Sequence, residues 1–222
     1  MPRVLVWPLV LLTACGLTTH PITPDLPVAY LGATPTLSGT IGNWPGQTGL
    51  MVEWREYRSP QPPVTLAIGP ITADGHFTIT LPSGAALQPF LHAFTGTNLP
   101  PYIRKTCQPN TLHFDSPPGA SWGGLVVDVA GRTRSVTLEA VSGYSNGMMP
   151  AYFDREFTLS GEATCMDHGY TERYVGRMHG LRGWNWFSYR STVTEGATVA
   201  ETVTVKETLT EPLTEPLHWV LR

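Results

Sequence analysis

The residues best suited by type and spacing to do chemistry are Gly143-Tyr144-Ser145-Asn146-Gly147, which match the pattern G-x-S-x-G. In that pattern a strand feeds a sharp turn into a helix, and the raised serine hydroxyl attacks a carbonyl carbon beside a histidine base and an oxyanion hole. Asp154 or Asp167, followed by His168 or His179, would supply acid and base in a plausible order. The flanking residues argue for something plainer. Met148-Met149-Pro150 interrupts a helix, and Tyr152–Leu159 alternates like a strand. Ser-Asn-Gly is ordinary turn chemistry, so a turn is the expectation here and acyl transfer by Ser145 the alternative. Among the carboxylates, Glu53, Glu56, Asp154 and Glu156 fall on strands and each reads as facing solvent, so no acid/base pair is singled out. The seven histidines show no His-x-x-x-His spacing, which argues against a metal enzyme, and no cofactor motif is present.

The aromatic residues suggest binding instead. Trp184, Trp186, Ser188 and Arg190 share one face of a strand, and Asn185, Phe187 and Tyr189 share the other. An exposed Trp184/Trp186 pair beside Arg190 would form a platform for stacking sugars or gripping a partner surface. Alternatively, the strand packs one face on each half of the molecule and both sets are core. Trp44, in the turn Asn43-Trp44-Pro45-Gly46, is a second binding candidate, since a loop tryptophan has less reason to be buried.

The first fifteen residues, MPRVLVWPLVLLTAC, carry an address. Arg3 gives a positive flank, and Val4–Leu12 is an apolar run interrupted only by Pro8. Nine helical residues span roughly 13 Å, far short of the ~30 Å hydrocarbon core. The run therefore suits a cleaved export signal and not a membrane-spanning anchor. Its end, Leu12-Thr13-Ala14-Cys15, resembles a bacterial lipobox. The resemblance implies a diacylglyceryl group on Cys15, cleavage after Ala14 and acylation of the new amino terminus. Such multiple acyl chains hold a protein stably on a membrane. Gly16 stands where an Asp would favour inner-membrane retention in enteric-type bacteria, so the resemblance favours the outer membrane where the host has one.

With Cys15 taken by lipid, Cys107 and Cys165 remain in an oxidising compartment, and a Cys107–Cys165 disulfide follows. Closing a loop of roughly 60 residues stabilises a fold by ~4 kcal/mol in the chain-entropy treatment. A metal site using Cys107 with Cys165-x-x-His168 is the competing reading, and it lacks a second paired half-motif. Cleavage removes Arg3, leaving 13 Lys+Arg against 17 Asp+Glu and a formal charge of −4. No basic cluster could neutralise several phosphates, which excludes nucleic acid as the expected partner. With 22 Gly and 21 Pro, long helices are not expected either.

The chain divides into a signal peptide (1–14), the lipidated cysteine with a proline-containing tether (15–29), and an all-β body of one or two sandwich-like modules, divided if two into a β-sandwich-like module at 30–105 and a second β module at 106–222. In the first, Leu50, Val52 and Trp54 point one way and Glu53, Arg55 and Tyr57 the other. Ala73-Asp74-Gly75 turns into a strand with Phe77, Ile79 and Leu81 inward and His76, Thr78 and Thr80 outward. This segment, IGPITADGHFTITLP, resembles the Asp-x-Gly-x-Phe hairpin of transthyretin-like and carboxypeptidase-regulatory-like β-sandwich modules, over Leu37–Pro82. The resemblance implies a non-catalytic adhesion, carbohydrate-binding or scaffold element.

Residues 83–123 read as irregular. Strands are then expected at Leu125–Val129, Arg134–Val141, Tyr152–Leu159, Thr171–Arg177, Trp184–Thr194 and Thr198–Leu209, with His218–Arg222 as a terminal edge strand. The segments FTLSGEATC and LRGWN are similar to small bacterial envelope lipoproteins of no assigned activity. The resulting expectation is an all-β, lipid-anchored, non-catalytic envelope protein that binds polysaccharide or another envelope protein. A serine hydrolase using Ser145 and a purely structural envelope subunit are the alternatives.

Overall fold

Strands form where β-branched and aromatic residues alternate with polar ones, a pattern that lets one face pack while the other meets water. The computed structural model describes residues 30–57, 60–94, 111–121, 123–140, 143–167, 170–194, 203–209 and 217–222. The fold is all-β. Its strands are β1 (Tyr30–Gly32), β2 (Thr36–Thr40), β3 (Met51–Glu56), β4 (Val64–Pro70), β5 (His76–Thr80), β6 (His92–Ala93), β7 (His113–Asp115) and β8 (Gly119–Ser121). They continue with β9 (Gly124–Val129), β10 (Arg132–Ala140), β11 (Gly143–Phe153), β12 (Phe157–Asp167), β13 (Tyr170–Gly180), β14 (Gly183–Thr194), β15 (Val203–Leu209) and β16 (Leu217–Leu221). Among the described residues one short helix, α1 (Gly84–Leu87), runs into a single 3₁₀ turn at Gln88–Phe90.

Among the described residues fourteen strands share one sheet, whose main path runs β4-β3-β9-β10-β11-β14-β15-β13-β12-β7. Its ladders are antiparallel except where β15 lies parallel to β13. A separate ribbon pairs β2 with β5. The expected boundary near residue 105 falls between β6 and β7, and ladders cross it at three places: β3 with β9, β1 with β14, and β6 with β8. Hydrogen bonding therefore interleaves the two halves of the chain.

Among the described residues two hydrophobic cores result. The first gathers Leu37, Val52, Trp54, Phe77, Ile79, Leu125, Val127, Trp184 and Trp219. The second gathers Phe94, Phe153, Phe157, Leu159, Tyr174, Met178 and Phe187. The paired strands β11 and β14 feed both. Tyr152 and Trp184 enter the first core, while Ala151, Phe153 and Phe187 enter the second. Strand alternation makes this possible, because neighbouring side chains point to opposite sides of the sheet.

Local chemistry sets the turns. Between β9 and β10 the chain reverses at Ala130-Gly131, with φ of 50° and 77°. Positive φ at both central residues defines a type I′ turn, whose twist matches that of the flanking strands. Between β13 and β14, the side chain of Asn185 accepts from the Leu181 backbone N–H (3.1 Å) and donates to the Leu181 (2.8 Å) and Gly183 (3.0 Å) carbonyls. The LRGWN segment is thus a self-stapled hairpin.

Several strand limits differ from expectation. Tyr152–Leu159 is not one strand: Asp154–Glu156 turn the chain between β11 and β12. Asp154 stabilises that reversal, accepting from the Gly119 backbone N–H at 2.8 Å. The stretch 83–123, read as irregular, contains α1, the 3₁₀ turn and β6–β8. These elements are too short to show a period.

Candidate functional site

Strand β10 changes partners along its length. Arg132–Ser135 pair with β9, and Leu138–Ala140 pair with β11, leaving Val136 and Thr137 at the changeover. Its Val136–Ala140 half also carries β16. A cleft of about 300 Å³ opens at the changeover, between Leu125 and Val126 of β9, Thr137 and Leu138 of β10, and Met149 and Pro150 of β11. Trp54 and Trp219 line it from the first core, and Tyr57, 51% exposed, adds an accessible phenol ring.

Beneath Trp54 sits a buried carboxylate. Glu56 is 3% exposed. Its Oε1 accepts from Trp54 Nε1 at 2.7 Å and from the Ser121 hydroxyl, and the carboxylate also receives the Gly123 backbone N–H. Burial pushes its pKa up, because removal from water disfavours the charged form; the three donors oppose that shift only in part. A Cβ at Gly123 would lie 2.5 Å from Glu56 Oε1 and 2.6 Å from Trp54 Nε1, so only glycine lets the backbone close over this group. The cluster ties β3 to β8 and to the Gly123-Gly124 rim of the cleft.

The expectation that Glu56 faces solvent is therefore corrected. Val52, Trp54 and Glu56 have the same parity on β3, and its pattern of burial is inward at all three. That parity was readable, and the charge of Glu56 masked it. Glu53 lies on the opposite face, part-buried, where it pairs with Arg55 at 2.9 Å, and Arg55 reaches Asp128 at 2.7 Å.

Among the described side chains, the other chemical candidates do not come together. Gly143–Phe153 is one continuous strand, so Ser145 does not sit at a strand–turn–helix elbow, and the expected turn is absent as well. The ladder to β10 is irregular at Glu139/Ala140, which accommodates the glycine-rich start of β11. Asp154 is engaged with Gly119 and Arg155, and His179 with Glu156 at 2.9 Å. His168 lies outside the described residues, and nothing is described of the Ser145 or Asp167 side chains.

The tryptophan platform is also corrected. Trp184 is 0% exposed: its indole N–H donates to the Pro82 carbonyl at 2.9 Å, and its ring meets Trp54 edge-on at 4.9 Å. Trp186 is half-buried, packs on the first core and lies 6.2 Å from the Trp219 ring. Strand β14 thus serves a core on each face, the alternative that the alternation of β14 allowed. Arg190 belongs to β14, but its side chain is outside the description. Trp44 is half-buried against the first core and donates its indole N–H to the Gln47 carbonyl at 3.2 Å. Cys165 is 4% exposed in the second core, whereas Cys15 and Cys107 lie outside the described residues.

Among the described residues no helix is long and apolar enough to cross a membrane, and no three His, Cys, Asp or Glu side chains come together as a metal site. Comparison with protein-family models, with curated proteins and with solved structures finds no match to this chain.

Proposed function

We propose that this chain is an exported, lipid-anchored envelope protein whose β body binds polysaccharide without chemical turnover. The export and anchoring rest on the positive flank, short apolar run and Leu12-Thr13-Ala14-Cys15 ending. The Cys107–Cys165 disulfide belongs to the same reading. It is supported by the burial of Cys165 in the second core. The single observation behind the binding reading is the cleft at the β10 changeover, which the half-exposed Tyr57 lines together with Ser135, Thr137 and apolar residues of β9, β10 and β11. An aromatic face for stacking, with a few hydroxyls for orientation, is one combination that suits a sugar ring.

The test is a pull-down of the full chain, purified in detergent, on isolated cell-wall polysaccharide beside a Tyr57→Ala variant. Retention of the wild type and loss in the variant support the cleft. Equal retention of both removes Tyr57 from the site, and no retention of either ends the polysaccharide reading. A Cys15→Ser chain addresses the anchor: full pelleting with membranes in high salt would contradict lipid attachment there.

A second reading has its own observation. Met51, Tyr57, Val64 and Ile68, all on or next to β3 and β4, are exposed large hydrophobics, and β4 ends the sheet path. An envelope protein docking on that end would cover them. Recovery of a stoichiometric protein partner in the same pull-down, in place of glycan, would favour it.

A further inference from the structure

We propose that the outer face of the β2–β5 ribbon is a contact surface for an uncharged polysaccharide chain; this rests on the glycan-binding reading and assigns it a second surface. The register sets Thr36 opposite Thr80, Ser38 opposite Thr78 and Thr40 opposite His76. All six residues are exposed. Alternate residues along a strand stand about 6.8 Å apart and neighbouring strands about 4.8 Å apart, so five hydroxyls and one imidazole form a regular two-row array.

Rigidity beneath the array gives it recognition value. The reverse face carries Leu37, Phe77 and Ile79, at 5%, 0% and 1% exposure. Gly39 rests directly on Trp219: an added Cβ would lie 2.2 Å from the indole ring. The ring of Phe77 meets Trp219 edge-on at 5.1 Å. Threonine is stiff at χ1, and Thr36 Oγ1 and Thr80 Oγ1 are hydrogen-bonded to each other at 3.0 Å. The threonine side chains are therefore restricted before any ligand arrives, Thr36 and Thr80 most of all, which reduces the ordering cost of binding.

Charge selects the occupant. None of these six positions is Lys, Arg, Asp or Glu. Each hydroxyl both donates and accepts, which matches the alternating donors and acceptors of a sugar chain. On a chain of net charge −3, this neutral face fits a neutral glycan better than an anionic one.

The test uses the full chain in detergent with two probes, an insoluble neutral β-glucan and a soluble uronic-acid polymer. The variants are Thr36→Val/Thr78→Val/Thr80→Val, the matching triple Ser replacement, and the single exposed change Ser38→Glu, with thermal melting as the folding control. The expected result is neutral-glucan affinity lowered about tenfold in the triple Val and Ser38→Glu chains and kept within about threefold in the triple Ser chain, with weaker binding of the uronic-acid polymer throughout. Should the triple Val chain misfold, Ser38→Glu alone decides. Wild-type binding that is unchanged in Ser38→Glu and in a folded triple Val chain overturns this face while the polysaccharide reading stands. Failure of the wild type to bind either polymer overturns both.

Discussion

Trp54 donates its indole N–H to Glu56 Oε1 at 2.7 Å, two residues along the same strand and on the same inward face. The pair places a carboxylate within the first core, beside Ser121 and Gly123. Burial raises the Glu56 pKa, so the folded chain holds this proton more tightly than the unfolded chain. Its contribution to stability is therefore greatest below the ordinary carboxylate value and declines as pH rises through the raised one. Glu56→Gln keeps an acceptor for Trp54 and Ser121 and removes the charge. Denaturant melts between about pH 4 and pH 8 should show that decline flattened, with stability near pH 7 unchanged or higher. Glu56→Ala, which orphans buried donors, should cost about 2–3 kcal/mol. A Gln variant as damaged as the Ala variant would contradict this account.

Ala130 occupies a left-handed conformation, φ 50°, at the first central position of the β9–β10 turn. A side chain with Cβ resists that region by about 1–2 kcal/mol, and asparagine or glycine is better suited to it. Ala130→Asn should raise stability by about 0.5–1 kcal/mol in urea melts. A decrease would mean that the turn is held by something other than its own backbone preference.

Gly69 on β4 faces the backbone of β5 so closely that an added Cβ would lie 2.0 Å from the Thr78 carbonyl oxygen. Backbone cannot yield as a flexible side chain does, so Gly69→Ala should cost at least about 1–3 kcal/mol. Gly124, where an added Cβ meets nothing within 4 Å, provides the comparison. Gly124→Ala should stay within about 0.5 kcal/mol of the wild type. Equal effects at both positions would refute the close β4–β5 approach.

Arg222 holds the buried Glu139 carboxylate, at 3.1 Å through Nε and again through Nη2, and Thr137 adds a third donor at 2.6 Å. The Arg222 guanidinium lowers the Glu139 pKa. A lowered folded value means stability that is present above the ordinary carboxylate pKa and lost as pH falls through the folded one. Arg222 is half exposed, so solvent screens the pair. Arg222→Ala should therefore cost about 1 kcal/mol near pH 7, and the difference should shrink in acid. A cost that is the same at pH 7 and at pH 3 would assign the effect to packing of the Arg222 stem.

Local periodicity was legible where one face of a strand meets core and the other meets water. Phe77, Ile79 and Leu81 are inward at 0–1% exposure while His76, Thr78 and Thr80 are exposed, as their alternation requires. The same rule separated Trp184 and Trp186 from Asn185 and Phe187. It could not say that both faces of β14 are covered, because periodicity reports which residues share a face and nothing about what lies against it. Glu56 shows the converse. Its parity pointed inward, but a carboxylate is placed inside only when donors from elsewhere meet it, and Ser121 is 65 residues away in sequence.

By itself the sequence determined the strand-rich body and the alternation within strands such as β5 and β14, since each depends on residues within a few positions of one another. Tertiary structure alone decided that β3 pairs with β9, that β10 exchanges β9 for β11, and that Trp184 is core. Strand partners are joined by backbone hydrogen bonds, which carry no side-chain signature. A cleft made by a change of partner, and a hydroxyl array made by two strands in register, therefore appear only once the chain is folded.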